Sequence, residues 1–574
     1  MATITSFQSG NWSSGSTWVG GSPPGDGDIA VRAVDHVITI DQSITIGDNG
    51  AAYSAAIRGP TSTANDSGGF IISDGVIVTI KGSFISGGNG SFITLATTSG
   101  GSKIVFHSGL TNNHKLSVGN GDGIQGTFTV NGIVSNFCEV DNQSAQSVYF
   151  QAGNPGDWWY YCESWYGNYC RFKNITGAVI GNECQINHWI FDANSLGDNL
   201  WPLPNIPGDK DFIMTNCSFL NPSTTVYLFF DDVTTGSRNV KNIICVSELY
   251  WSGNVTWDGF VIINGTNGDG VNKGTLKNSI LIPTGGSGLN GAVFNLVKDN
   301  FYYYPTGDNP HFMFVTPDIS TEFDGNIFEY GSDWVSDVGD CLLATGGGST
   351  GYTTTIHHNI ELPNANNRQS GTLASLWADS YNDVVIYNNT FYTGANVEDL
   401  GNISLVSAFY NNLSYGPNGQ RLTSFSGGGS VEDVYDDADY NSAQNLTTPY
   451  EDASKFLVTP GSNDLNDNPV FNDSSRDLAK WSVDTLGSLS GTEADQRVDA
   501  INALIAQNDP NDADYNENGT VSNLVSYIKG GWAPTNLDYL TAGKDGSYPS
   551  YIGAVEPIEA SSYANNSIML SIGF

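Results

Sequence analysis

Paired carboxylates are the first groups in this sequence whose type and spacing could support chemistry. Asp231 and Asp232 are adjacent, and hydrolysis of a glycosidic bond needs two carboxyl groups at a defined separation. Single aspartates recur where the chain is expected to turn: Asp192, Asp258, Asp299, Asp324 and Asp379. With 59 acidic residues in 574, such pairs also arise by chance. We therefore assign no catalytic residue, and the sequence favours a protein that is not an enzyme.

A dense aromatic segment at 157–170 is the second chemical feature. Five of its rings are candidate ligand-binding residues: Trp158, Trp159, Tyr160, Trp165 and Tyr166. Flat rings pack against the C–H faces of sugars, while neighbouring acids and amides bond the hydroxyl groups. The alternative is an aromatic loop that covers apolar surface or packs at a subunit contact. Both interpretations remain open at this point.

The segment 514–522 places oxygen-bearing side chains at alternate positions before a glycine. It resembles the calcium loop of EF-hand and dockerin modules. That resemblance implies calcium ligands from the side chains of Asp514, Asn516 and Asn518 and from the carbonyl of Thr520. The pattern departs at Val525, where those loops carry a bidentate acid. The alternative is an Asx-rich turn between two helices that binds no metal.

Seven cysteines and one His-His pair could also ligate metals or react. The cysteine count is odd and no CxxC spacing occurs, so a disulfide framework or zinc ribbon is not predicted. We expect buried thiols, with a Cys162–Cys170 bridge left open. His357 and His358 have no third ligand nearby in sequence, and we place them at the edge of a repeat.

The secondary-structure elements that position these groups are predicted from a recurring sequence phrase. This phrase is a polar residue or glycine followed by a short apolar run. The phrase recurs at intervals of 17 to 33 residues, beginning at Asn216, Asn242, Gly259, Asn278, Asn300, Asn326, Asn359, Asn389 and Asn412. Such intervals fit one coil of a β-solenoid with variable loops. In that arrangement alternate side chains point inward, and asparagine at the bend adopts the left-handed conformation and bonds its stacked copies.

Several phrases resemble coils of the pectate-lyase-like right-handed parallel β-helix superfamily. The resemblance rests on VVIYNNTF at 384–391, DNPVF at 467–471 with RDL at 476–478, and IGAVE at 552–556. It implies an all-β fold, a right-handed parallel β-helix with an N-terminal cap and a small helix-containing C-terminal region. The superfamily includes polysaccharide lyases, glycosidases and phage tailspikes, so the fold alone does not select a function.

The ends of the chain differ from this repeat. Residues 1–50 are predicted to form a cap in which Trp12 and Trp18 cover the first coil, followed by strands at 29–31 and 37–40. The β-helix should occupy 51–424, an irregular exit and closing segment 425–490, and a helix–loop–helix with a C-terminal tail 491–574. A capping box at Thr492 and Asp495 should start one helix, with Ala494, Val498, Ile501, Leu504 and Ile505 on its buried face. A second helix is expected at 522–528.

The net charge and the N-terminal sequence restrict which classes of function fit this chain. The 21 basic and 59 acidic residues give a net charge of −38, which repels nucleic acid and anionic lipid. The first residues lack the basic and apolar regions of a secretion signal. We therefore predict a bacteriophage virion protein, a tail spike, tail fibre or capsid spike, that attaches to host-surface polysaccharide as a homotrimer among other virion proteins. A polysaccharide depolymerase and a bacterial surface adhesin are the alternatives.

Overall fold

The computed structural model is mostly β-structure, with 46% of residues in strands and 11% in helices. Its strands belong to large parallel sheets, and its described residues form two compact units, Met1–Asn254 with Ala506–Glu517 and Val255–Ile505 with Asn518–Phe574. The structure describes residues 2–60, 65–88, 90–96, 98–118, 126–150, 164–175, 177–180, 183–192, 201–202, 209, 211–220, 225–229, 237–246, 248–253, 255–263, 266–268, 274–282, 289–290, 294–304, 313–315, 319–330, 341–345, 352–362, 372–377, 383–391, 395–398, 405–415, 423–426, 438–443, 450, 460–467, 469–487, 491–508, 521–544, 546 and 548–557.

Strands of the first unit are short up to residue 150, and from residue 164 four longer strands alternate with short ones. They are β1 (Thr3–Thr5), β2 (Gly10–Asn11), β3 (Ile29–Val31), β4 (Val37–Ile40), β5 (Ile44–Gly47), β6 (Ala55–Arg58), β7 (Gly69–Ile72), β8 (Ile77–Lys81), β9 (Ser83–Ile85), β10 (Phe92–Ala96), β11 (Lys103–Phe106), β12 (His114–Ser117), β13 (Thr127–Asn131), β14 (Cys138–Asn142), β15 (Val148–Phe150), β16 (Ser164–Lys173), β17 (Gly177–Ile180), β18 (Glu183–Asp192), β19 (Trp201–Pro202), β20 (Phe212–Phe219), β21 (Thr225–Phe229), β22 (Arg238–Cys245) and β23 (Glu248–Ser252). The predicted strands at 29–31 and 37–40 are confirmed.

Pairing in the first unit is parallel and connects strands about three places apart in the chain. One sheet runs β1-β3-β6-β9-β12-β15-β17-β19. A second row runs β4-β7-β10-β13, and a third runs β5-β8-β11-β14. Both of these rows pair with β16, since each end of that longer strand continues one row. The long strands β16, β18, β20 and β22 then pair in succession.

Strands of the second unit repeat in sets of three. They are β24 (Thr256–Asp258), β25 (Val261–Ile262), β26 (Thr266–Gly268), β27 (Thr275–Lys277), β28 (Ile280–Leu281), β29 (Leu289–Asn290), β30 (Leu296–Lys298), β31 (Phe301–Tyr304), β32 (Met313–Val315), β33 (Thr321–Asp324), β34 (Ile327–Tyr330), β35 (Cys341–Thr345), β36 (Thr353–His357), β37 (Ile360–Glu361), β38 (Thr372–Trp377), β39 (Asp383–Tyr387), β40 (Thr390–Phe391), β41 (Ala395–Glu398), β42 (Leu405–Tyr410), β43 (Leu413–Ser414), β44 (Thr423–Ser426), β45 (Ala438–Asp439) and β46 (Ser442–Ala443).

Each of these strands pairs in parallel with the strand three places further along the chain. The rows are β24-β27-β30-β33-β36-β39-β42-β45, then β25-β28-β31-β34-β37-β40-β43-β46, and then β26-β29-β32-β35-β38-β41-β44. Alternation of side chains buries one face of each strand: Phe323 and Ile356, which pair in register on β33 and β36, are both fully buried. Equivalent positions of successive strands therefore stack into one apolar core.

Asparagine occupies two different positions at the bends, a distinction that the sequence pattern does not make. Left-handed backbone is found at Asn216, Asn242 and Asn278, as predicted, with φ values of 53°, 54° and 50°. Later in the chain the left-handed residue stands one position before the predicted asparagine, for example His358 (φ 56°) and Asn388 (φ 49°). The predicted left-handed conformation is therefore wrong for five asparagines: Asn300, Asn326, Asn359, Asn389 and Asn412.

Those five asparagines instead form a buried amide ladder with Asn441. Each Nδ2 donates to the Oδ1 of the next asparagine over 2.9 to 3.2 Å, and each of the first five backbone N–H groups donates to the same oxygen. All six side chains are fully buried. The ladder ends where Asp464 accepts the N–H of Asn441 at 2.8 Å and the hydroxyl of Tyr450 at 2.6 Å. The predicted bonding between stacked asparagines is confirmed.

Four α-helices follow the strands in the described part of the chain: α1 (Leu478–Leu486), α2 (Glu493–Asn508), α3 (Val521–Gly531) and α4 (Asp538–Thr541). The capping box is confirmed, since the Thr492 N–H donates to Asp495 at 2.8 Å. The expected buried face of α2 is wrong at Val498, whose side chain is 55% exposed. The helix instead turns Arg497 inward to Glu329, with Nε and Oε1 2.6 Å apart. No helix of the described residues is long and apolar enough to cross a membrane.

Aromatic and thiol side chains fill the first unit as the composition predicts. Trp12 and Trp18 are buried at its start, with ring centroids 4.8 Å apart. Among the side chains that the structure describes, five cysteines are buried: Cys138, Cys170, Cys184, Cys217 and Cys245. Burial raises the pKa of the Cys217 thiol to about 12, so it stays protonated. Cys162 lies outside the described residues, and so the predicted alternative of a Cys162–Cys170 bridge does too.

Candidate functional site

Three side chains of types that can ligate a metal meet where two paired strands end: Asp324, His357 and His358. Asp324 is the last residue of β33 and His357 the last of β36, and the two pair in register. Both point away from the buried Phe323 and Ile356, because side chains alternate along a strand. His358 follows in left-handed backbone, a conformation in which histidine is enriched. The bend thereby turns the second imidazole back towards the first.

The three donor atoms form a small triangle. His357 Nδ1 and His358 Nδ1 are 2.8 Å apart, and His358 Nδ1 lies 3.0 Å from Asp324 Oδ1. The third edge, from His357 Nδ1 to Asp324 Oδ1, is 3.4 Å. The side chains of Asp324 and His357 are 13% and 7% exposed, and that of His358 is 23% exposed. The triangle is therefore largely shielded from water.

Two flanking charges orient the triangle. Glu322 Oε1 lies 2.8 Å from His357 Nε2, and a carboxylate only accepts, so Nε2 carries the hydrogen. The Nδ1 atom of neutral His357 therefore carries a lone pair, which faces the other two atoms of the triangle. Lys298 donates to Asp324 Oδ2, which leaves Oδ1 for the histidines. His357 and Asp324 are thus each oriented by a second partner.

Electrostatics favour an ionised carboxylate beside neutral imidazole. Burial opposes the charge of Asp324, but hydrogen bonds from His358 and Lys298 hold its pKa well below the usual range. Burial lowers the pKa of His357, and this outweighs the opposing effect of Asp324. Neutral imidazole and carboxylate are the forms in which these side chains ligate metals.

Tyrosines cover the triangle. The Tyr387 ring stacks on His357 at 4.7 Å between centroids, since the two residues pair in register on β39 and β36. Tyr551 lies 6.1 Å from His358, and its carbonyl accepts a 2.5 Å hydrogen bond from Asn388. Tyr548 packs on Tyr387 at 4.9 Å. The segment near the C-terminus therefore lies over the strand ends that carry the donors.

The aromatic segment is placed only in part. Trp158, Trp159 and Tyr160 lie outside the described residues. Trp165 is 1% exposed and stacks on Phe150 at 4.7 Å, so its ring lies in the core and not at a surface where a sugar could stack. The Tyr166 hydroxyl donates to Glu183 at 2.6 Å, and burial followed by this bond raises the pKa of Tyr166 to about 12.

The predicted calcium ligands Asp514, Asn516, Asn518 and Thr520 also lie outside the described residues, as do Asp231, Asp232 and Asp379. The four other aspartates of interest each form an ion pair. Asp192 pairs with Arg171 at 3.0 Å and Asp258 with Lys277 at 3.3 Å. Asp299 pairs with Lys529 at 2.5 Å, and Asp324 pairs with Lys298. Among the described residues, these carboxylates form ion pairs with basic side chains of neighbouring strands and helices. They do not form acid–base pairs with one another.

The sequence pattern did not connect Asp324 with the two histidines. Asn326 and Asn359 are 33 residues apart, and so are Asp324 and His357. Applying the spacing of the repeat to the position two residues before each asparagine would have placed Asp324 beside His357. No family model matches the chain, and neither a curated protein nor a solved structure matches it.

Proposed function

We propose that this chain is a structural protein of a bacteriophage particle, a tail spike, tail fibre or capsid-attached spike that contacts host-surface glycans. In this proposal both units are built as right-handed parallel β-helix. Parallel strands joined by crossovers are right-handed in nearly all known cases, which supports that hand. The protein acts as a homotrimer within the extracellular particle, where multivalent contact increases avidity.

The observation that carries this proposal is the buried amide ladder. It joins six successive bends through charge-free hydrogen bonds, and each rung satisfies polar groups that are cut off from water. A stack held in this way resists local opening, because one broken rung leaves buried donors without acceptors. Such rigidity suits a projection that must withstand contact with a cell surface.

Ion pairing of four aspartates near the bends supports a structural role for them over a catalytic one. A general acid needs a carboxyl group whose proton is available, whereas Asp192, Asp258, Asp299 and Asp324 are held by Arg or Lys. The net charge of −38 keeps a densely displayed protein soluble.

The proposal is tested on phage particles purified from the source culture by density-gradient centrifugation. Mass spectrometry should find peptides of this chain at a constant ratio to the capsid protein, and antibody against the chain should label a projection. Native mass measurement of the isolated protein should give three copies. Peptides found only in the soluble fraction would overturn the proposal.

Glycan contact is tested separately with polysaccharide from the host surface. Trp158→Ala and Trp159→Ala should weaken binding, whereas Phe7→Ala, which truncates a 69% exposed aromatic side chain near the N-terminus, should not. Release of reducing ends or unsaturated sugars by the wild-type protein would indicate a depolymerase instead.

A further inference from the structure

We propose that Asp324 Oδ1, His357 Nδ1 and His358 Nδ1 bind one divalent transition-metal ion of the zinc class. The proposal is independent of the virion role, since it rests on these three side chains and their neighbours. It differs from the calcium site expected at 514–522 in its position, its donors and its metal.

Donor geometry is the first support. A tetrahedral zinc ion with bonds of about 2.0–2.1 Å separates its ligand atoms by about 3.3–3.4 Å. The three observed edges are 2.8, 3.0 and 3.4 Å. Widening the two shorter edges by about half an ångström makes room for the ion, and this needs only small side-chain rotations. The fourth position remains for water or another ligand.

The surrounding hydrogen bonds are the second support. A histidine that ligates a metal through one nitrogen almost always donates its other N–H to a carboxylate or carbonyl. The His357 Nε2 bond to Glu322 supplies this interaction. The hydrogen bond from Lys298 to Asp324 Oδ2 leaves Oδ1 as the carboxylate oxygen that can bind the metal. Glu322 and Lys298 are therefore positioning residues.

The tautomer of His358 is the third support. Without a metal, its Nδ1–H donates to Asp324 Oδ1 at 3.0 Å, and the lone pair of His357 Nδ1 lies 2.8 Å from the same nitrogen. The buried Nε2 of His358 then has no hydrogen-bond partner among the described residues. When the ion binds, the hydrogen moves from Nδ1 to Nε2 and the Nδ1 lone pair ligates, so no net proton is released by this ring. The ion then takes the place of the hydrogen that lay between His358 Nδ1, Asp324 Oδ1 and His357 Nδ1.

Charge and donor type select the class of metal. The nearby charges of Asp324, Glu322 and Lys298 sum to −1, which favours a cation. Two imidazole nitrogens suit zinc, copper, nickel or iron and disfavour calcium and magnesium, which prefer oxygen ligands. Zinc is the probe of choice because it accepts this small, mixed nitrogen–oxygen set.

The test uses the full chain stripped with a chelator and titrated with Zn²⁺ in a calorimeter. Wild-type protein should bind one zinc ion per chain, and Ca²⁺ should not compete. His357→Gln and His358→Gln should abolish this binding. His107→Gln, which changes a partly buried histidine elsewhere, should leave it unchanged. Glu322→Ala should keep the 1:1 ratio but weaken the affinity about 10–100-fold, as expected for a positioning residue.

X-ray absorption at the zinc edge of the loaded wild-type protein is the measurement that does not depend on any variant folding. It should show two imidazole ligands at about 2.0–2.1 Å and oxygen for the remainder. Sulfur ligands, no imidazole, or the absence of stoichiometric binding would overturn the proposal. Equal loss of zinc in His107→Gln would also overturn it.

Discussion

Replacing Asn359 by alanine removes one rung of the buried amide ladder and should destabilise the second unit strongly. Asn359 Oδ1 accepts both the backbone N–H and the Nδ2–H of Asn326, each at 2.9 Å. Its own Nδ2 donates to Asn389 Oδ1 and to the Phe323 and His357 carbonyl oxygens. Alanine removes all of these side-chain hydrogen bonds, although its backbone N–H still donates to Asn389 Oδ1.

The magnitude follows from the two donors of Asn326 that lose their acceptor. Each buried donor left unpaired costs about 1–3 kcal/mol, so the pair gives a loss of about 2–6 kcal/mol. A domain is stable by only about 5–15 kcal/mol, so this loss is a large share. Asn359 is fully buried, which limits rescue by solvent.

Denaturant unfolding followed by tryptophan fluorescence and circular dichroism measures this loss. Asn523→Ala is the matched control, because Asn523 is exposed on α3 in the same unit. Its free energy of unfolding should stay within about 0.5 kcal/mol of wild type. If Asn359→Ala is no less stable than Asn523→Ala, the ladder does not hold the bends together.

Three further outcomes are expected. Burial raises the pKa of Asp464 from 3.8 to about 6, so the folded state binds this proton more tightly than the unfolded state. Stability should therefore fall by up to about 3 kcal/mol as pH rises from about 4 to 6, and Asp464→Asn should lack this component in denaturation curves measured across that range. Asp66→Ala leaves Arg32 buried without its carboxylate and should cost about 3–5 kcal/mol by urea unfolding, whereas the double change Arg32→Met with Asp66→Leu should cost less. Trp165→Ala should lower thermal stability, at a cost of about 3–5 kcal/mol, because the ring is buried; unchanged stability with lost glycan binding would contradict its core position.

Sequence reasoning reached the all-β, parallel architecture because the repeat is carried by short-range features. Apolar alternation and recurrent asparagines set which side chains face inward, and the order of strands follows from the spacing of the repeat. The two roles of asparagine could not be separated. Asn278 is left-handed at the bend, whereas Asn300, at the matching place in the phrase, belongs to the buried ladder.

The remaining misses come from long-range contacts. Val498 fits the apolar period of α2, but the buried Glu329 draws Arg497 inward and rotates the helix. Asp477 caps the unpredicted helix α1 within the segment expected to be irregular, by accepting the Lys480 N–H at 2.7 Å. Trp165 has polar neighbours in the sequence, but strand alternation turns its ring inward. The third member of the cluster with His357 and His358 is distant from them in the sequence. Strand pairing brings it beside them.

A crystal structure of the full chain tests the central claim most directly, namely that successive strands stack in parallel with a buried amide at each bend. It should show right-handed parallel coils, with Asn326 Nδ2 about 2.9 Å from Asn359 Oδ1 and Asp324 beside His357. Antiparallel pairing of these strands, left-handed crossovers, or asparagine side chains turned to solvent would contradict it.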